Sequence, residues 1–238
     1  MALLELTDVR VTLGDRPLLG GLSLSMGVGE RVAIMGPNGV GKSTLLDVVI
    51  GVRRPNGGRV RVLGAGPPNP SVGFVPQDPG GSLLPWFSIR ENVLLPLRAR
   101  GGAARVGEDA LEEVRGRLDP DHTVSLDARP AQLSGGQRQR AALMRGAIGQ
   151  PQLLVCDEPL SAIDAPARTR SVEALRSLCT ADRGPGLLFV THSLATALAL
   201  ATRVVILEGS PGRIKTDLAS DTPGIRERLS ALLADARC

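Results

Sequence analysis

The sequence predicts an α/β protein: a core on a mainly parallel sheet, an antiparallel β flap beside it, and a helical subdomain. Three observations predict this. The stretch Gly36-Pro37-Asn38-Gly39-Val40-Gly41-Lys42-Ser43-Thr44 follows the apolar run RVAIM and opens the helix-like STLLDVVI, which is the strand, loop and helix order of a phosphate loop. The apolar runs 31–35, 153–156 and 187–190 are bounded by turn or polar residues, as in strands buried on both faces of a parallel sheet. Each of them ends in a polar cluster, and open α/β sheets bind ligands outside the carboxyl ends of their strands.

Taken in order, residues 3–13 and 60–63 alternate more weakly between apolar and polar, which suggests the antiparallel flap beside the nucleotide. From about 79 to 150 the strand pattern gives way to helix-like stretches broken by Gly and Pro, and the helical subdomain is expected there. Residues 204–207 are a fourth strand candidate, and the tail 221–238 reads as an amphipathic helix. Neither an internal repeat nor a low-complexity linker appears, so residues 1–238 are expected to form one domain with the helical subdomain inserted.

The formal charge of +4 comes from arginines scattered along the chain, since lysine occurs only at Lys42 and Lys215. No basic run marks a nucleic-acid surface, and no nucleic-acid partner is expected. Cys156, Cys179 and Cys238 are an odd number without paired spacing, which argues for reduced thiols and an intracellular setting. No stretch reaches the roughly 20 consecutive apolar residues of a membrane span, and MALLELTDVR lacks the basic-then-apolar order of a signal peptide. A soluble, cytoplasmic protein is the expectation.

The glycines of 36–44 let successive backbone N–H groups turn toward phosphate oxygens, and the following helix adds positive potential at its N-terminus. Lys42 is expected to reach the β- and γ-phosphates, and the Ser43 hydroxyl to ligate Mg²⁺. The loop alone does not choose among kinases, GTPases and ATPases. Asp157 and Glu158 end the run 153–156; by itself such a pair is often only a solvated strand end. Beside a phosphate loop, Asp157 becomes the metal-side carboxylate and Glu158 the candidate general base for an attacking water. His192 follows the run 187–190 and Thr191, so it should reach the same edge and could position that water. As a bland alternative it caps the helix-like SLATALALA. His122, in an acidic loop, reads as a surface residue.

Leu133-Ser134-Gly135-Gly136-Gln137 lies ahead of the acidic pair, with Gln137 standing 20 residues before Asp157. Ser134 can cap a helix beginning at Gly135, forming an anion site with no phosphate nearby in its own chain. This pentapeptide resembles the mark of ATP-binding cassette ATPases, and with the phosphate loop the resemblance covers nearly the whole chain. It implies that ATP is sandwiched between the phosphate loop of one subunit and 134–137 of another, in a dimer expected to pair identical chains. It also implies that Gln77 touches Mg²⁺ and senses a membrane partner, that Asp164 sits in a loop crossing the dimer interface, and that Glu158 and His192 are the catalytic glutamate and switch histidine. One departure is plain: where such ATPases place an aromatic ring against adenine, this chain has Leu13, and it contains no tyrosine.

Leu83-Leu84-Pro85-Trp86 and Ser210-Pro211-Gly212-Arg213-Ile214 resemble importers of the nitrate, sulfonate and taurine class. That resemblance implies transmembrane permease subunits as partners, with Trp86 near their docking site. It further implies an indirect link to a solute-binding protein, and a peripheral location on the cytoplasmic side of the inner membrane. An exporter ATPase is the nearer rival. A non-transport cassette would carry two cassettes or a coiled-coil insertion, and a binding-only cassette is at odds with Glu158 and His192.

Overall fold

The computed structural model describes residues 2–101, 104–160, 165–180 and 184–235. Its centre is a six-stranded sheet in the order β5-β6-β7-β3-β8-β9, built from β3 (Arg31–Met35), β5 (Val72–Val75), β6 (Leu153–Asp157), β7 (Gly186–Val190), β8 (Arg203–Glu208) and β9 (Arg213–Ala219). The first five of these in sheet order run parallel and β9 pairs antiparallel to β8. Every residue of β6 and of β7 is buried, which is why both read as unbroken apolar runs.

Alternation along each strand divides the core in two. Val32, Ile34, Leu153, Val155, Leu188 and Val190 pack toward one face, which is covered by α1 (Lys42–Ile50) and by a three-stranded antiparallel sheet in the order β2-β1-β4. That sheet comprises β1 (Ala2–Leu13), β2 (Arg16–Gly27) and β4 (Gly57–Val62), so the expected flap is present and longer than 3–13 and 60–63 indicated. Ala33, Met35, Leu154, Cys156, Leu187 and Phe189 pack toward the other face, against the helices.

Between β5 and β6 the chain forms α2 (Pro79–Ser82), α3 (Ile89–Ala99), α4 (Ala104–Leu118), a 3-10 turn at Pro130–Gln132, and α5 (Gly135–Ala147). These span the region predicted to be helical. Ser88 caps α3 by accepting from the Glu91 amide while Glu91 accepts from the Ser88 amide, a reciprocal cap that fixes the helix start. The remaining helices are α6 (Ala165–Thr180), α7 (Leu194–Leu200) and α8 (Ile225–Asp235); α8 buries Leu229 and lies within the amphipathic tail. Among the described residues no helix is long and apolar enough to cross a membrane.

Candidate nucleotide site

The carboxyl ends of β3, β6 and β7 converge on a cavity of about 310 Å³. Arg16, Leu18, Asn38, Gly39, Gly41, Lys42, Ser43, Thr44, Gln77, Asp157, Glu158 and Val190 line it. The loop between β3 and α1 shapes its floor. Gly41 precedes α1 at φ +102°, a backbone region that side chains rarely enter. A Cβ there would lie 2.7 Å from Leu19 Cδ2 and 3.0 Å from the Leu18 carbonyl oxygen. Glycine therefore lets β2 close against the phosphate loop. Gly36 (φ +141°) approaches the Leu207 carbonyl in the same manner, and Val40 buries its side chain beneath the loop.

Lys42 donates to the carbonyls of Gly36 at 2.9 Å and Pro37 at 2.8 Å, which folds the loop around its own ammonium. Burial pulls the Lys42 pKa below its usual value, opposed by the Glu158 and Asp157 carboxylates. A triphosphate drawn into the cavity would meet this ammonium, the loop's N–H groups and the N-terminus of α1 together.

Asp157 ends β6, and Glu158 follows at φ +51°, a left-handed conformation uncommon for a side-chain-bearing residue and typical of functional sites. The Glu158 amide donates to the Val190 carbonyl at 3.1 Å, so β7 holds the turn that separates the two carboxylates. Both residues are buried. His192 Nδ1 lies 2.9 Å from Glu158 Oε1, with the imidazole N–H donating to the carboxylate. The imidazole is otherwise 71% exposed, free to meet a group arriving from outside. Gln77 follows β5 and lines the cavity.

Ser134 caps α5: its hydroxyl accepts from the Gln137 amide and Gln137 Oε1 accepts from the Ser134 amide. None of Ser134, Gly135, Gly136 and Gln137 lines the cavity. Leu13 is 57% exposed at the end of β1 and does not line it either. Asp164 lies outside the described residues. Sequence reasoning passed over Arg16, Leu18 and Val190 as lining residues; a charged side chain directly after the Gly14-Asp15 turn was the one available signal for Arg16.

The sheet, the loop and the carboxylate edge define the class: a phosphate-loop nucleoside triphosphatase. Residues 19–161 match the family model described as "ABC transporter", and the chain belongs to that family; it is an ATP-hydrolysing cassette. It is 40% identical over 239 residues to "Aliphatic sulfonates import ATP-binding protein SsuB 2" of Burkholderia cenocepacia (strain HI2424), covering 99% of this chain and 84% of that one. It is 36% identical over 217 residues to "Nod factor export ATP-binding protein I" of Rhizobium etli (strain ATCC 51251 / DSM 11541 / JCM 21823 / NBRC 15573 / CFN 42), covering 88% and 66%. Among solved structures it resembles the dimeric MJ0796, a bacterial ABC transporter cassette, with TM-score 0.79 and 26% identity over 91% of this chain and 98% of that one.

Proposed function

We propose that this chain powers the import of a small organosulfonate or a related anion, by hydrolysing ATP beneath a pair of transmembrane permease subunits on the cytoplasmic face of the inner membrane. The observation that carries the catalytic half is the meeting of Lys42, Asp157 and Glu158 in one cavity, with His192 on Glu158. The relative that imports aliphatic sulfonates matches nearly the whole chain, which favours import over export.

In this reading the loop 36–44 binds the phosphates. Ser43, Gln77 and Asp157 supply a hydroxyl, an amide and a carboxylate, a hard-oxygen donor set without thiolate or imidazole that suits Mg²⁺. Bound there, Mg²⁺ would neutralise charge on the β- and γ-phosphates. Glu158 accepts the proton of the water that attacks the γ-phosphorus, and His192 holds the Glu158 carboxylate in place from one side. The products are ADP and inorganic phosphate.

The capped end of α5 does not line the cavity of its own chain, so 134–137 reads as the anion site for the ATP held by a second copy, with Asp164 at the seam. Two copies closing on two ATP molecules would turn binding energy into motion of the permease. Residues 79–150 would form the arm that carries this motion, with Trp86, 65% exposed, at the permease contact. The test is reconstitution with permease and solute-binding protein: ATP turnover should rise with an alkanesulfonate and stay basal with amino acids or sugars. Stimulation by a solute supplied from the cytoplasmic side alone would favour export.

A further inference from the structure

Arg16 and Leu18 of β2 form one wall of the cavity, beside the phosphate loop. Leu18 lies against the phosphate loop, its carbonyl 3.0 Å from where a Gly41 Cβ would stand. Arg16, two residues earlier in the strand and about 7 Å along it at the rise of a β-strand, lines the same cavity. The cavity lined by the phosphate loop reaches Arg16 as well, so the ribose and base of a nucleotide with its phosphates on the loop would have room along this wall. This wall is held firmly: Gly212 donates to the Leu18 carbonyl at 2.9 Å and accepts from the Gly20 amide at 3.0 Å. Gly212 itself sits where a Cβ would come within 2.0 Å of the Val40 carbonyl oxygen. The segment 210–214 thus clamps β2 onto the phosphate loop.

No ring reaches this wall. The chain has no tyrosine, one tryptophan and three phenylalanines. Phe189 is buried in the core, Trp86 and Phe87 pack edge-to-face with centroids 6.4 Å apart, and neither these nor Phe74 line the cavity. Leu13, the pairing partner of Arg16 across the hairpin, is exposed and does not line the cavity. Arg16 is the one cation besides Lys42 among the lining residues. Its side chain makes no ion pair or hydrogen bond among the described residues.

We propose that Arg16 holds the nucleotide base. Its planar guanidinium lies over the face of the base where an aromatic ring is lacking, and Leu18 supplies the apolar contact beside it. Every base offers a π face, so a guanidinium plane discriminates little among them. The site should accept GTP nearly as well as ATP. This assignment rests on the cavity being the nucleotide site proposed above.

The test is calorimetric titration of the full chain with ATP, GTP and inorganic tripolyphosphate, each with Mg²⁺. Wild type, Arg16→Ala, Arg16→Lys, Arg16→Trp and Lys42→Ala are compared. Arg16→Ala should weaken ATP and GTP alike by about 3- to 30-fold, the range of a cation–π contact, and leave tripolyphosphate unchanged. Arg16→Lys, which keeps the charge without the plane, should stay weak, and Arg16→Trp should recover ATP affinity. Equal losses for tripolyphosphate and ATP would overturn the proposal in favour of a phosphate contact. Unchanged ATP binding in Arg16→Ala, with loss in Lys42→Ala, would overturn it while leaving the nucleotide site intact. A wild type that binds no ATP would remove both.

Discussion

Replacing Asp119 with alanine should loosen the helix that carries Ser134 without touching the nucleotide cavity. Asp119 follows α4 and is fully buried. Its Oδ1 accepts from the Thr123 amide at 3.0 Å, the Thr123 hydroxyl at 2.9 Å and Arg140 Nη1 at 2.8 Å; Oδ2 accepts from the Val124 amide at 2.9 Å. Arg140 belongs to α5, and Gln137 of the same helix donates to the Thr123 carbonyl at 2.8 Å. The loop after α4 is thus bound to the first turns of α5 from two sides. Removing one partner of a buried ion pair destabilises by about 3–5 kcal/mol. The Arg140 side chain is 21% exposed and regains some hydration, which places the loss near the lower end, about 3 kcal/mol. At about 2–4 °C per kcal/mol for a chain of this size, the Tm should fall by about 6–12 °C. Thermal unfolding by circular dichroism reads this directly. At a temperature where the variant is folded, ATP should bind a single copy as in wild type, while turnover, which on the proposed function draws on 134–137 of a second copy, should fall. A Tm within about 2 °C of wild type would mean that the buried acceptors of Asp119 carry no net stability and that α5 is held by other contacts.

Three further outcomes follow from the same geometry. Gly41→Ala should destabilise by about 1–3 kcal/mol and weaken nucleotide binding, since the new Cβ meets Leu19 and the Leu18 carbonyl at a φ that side chains avoid; urea melts and ATP titration measure both. Ser134→Ala removes the α5 cap and should lower stability by about 1 kcal/mol, read by urea melts, with a larger relative effect on turnover than on ATP affinity. Burial pushes the Cys179 thiol from 9.0 up to about 12 and the Cys156 thiol well above 9.0. In the unfolded chain both ionise near their ordinary value while the folded chain holds them neutral, so their contribution is intact below about pH 8.5 and is lost as pH rises toward 12. In a Cys238→Ser background, maleimide labelling at pH 8 should be slow in the native protein and rapid in urea.

The parallel core was legible because its strands are buried on both faces, and such strands carry no competing periodicity. β3, β6, β7 and β8 lie where apolar runs stood against polar ends. β2 was harder to see: Gly20 and Gly21 interrupt its apolar pattern, and its pairing with β1 shifts register near the turn. β5 spans only Val72–Val75, and β9 presents mostly half-buried residues at the sheet edge, so neither gives a clean alternation. The gathering of the phosphate loop, Asp157 and Glu158 at one cavity, with His192 on Glu158, was legible because each stands just past the carboxyl end of a buried strand. Arg16 and Asp119 were not. One becomes visible only when the hairpin folds its wall over the loop, and the other only when α5 brings Arg140 across 21 residues of chain.

On the proposed function, two copies of this chain close on ATP before either hydrolyses it. ATPase rate against concentration of the purified chain, with Glu158→Gln followed by light scattering in ATP, tests it most directly. The rate should rise faster than linearly with concentration, and the variant should bind ATP, turn over at least 100-fold more slowly and accumulate as a dimer. A rate strictly proportional to concentration, or equal turnover in wild type and Glu158→Gln, would contradict it.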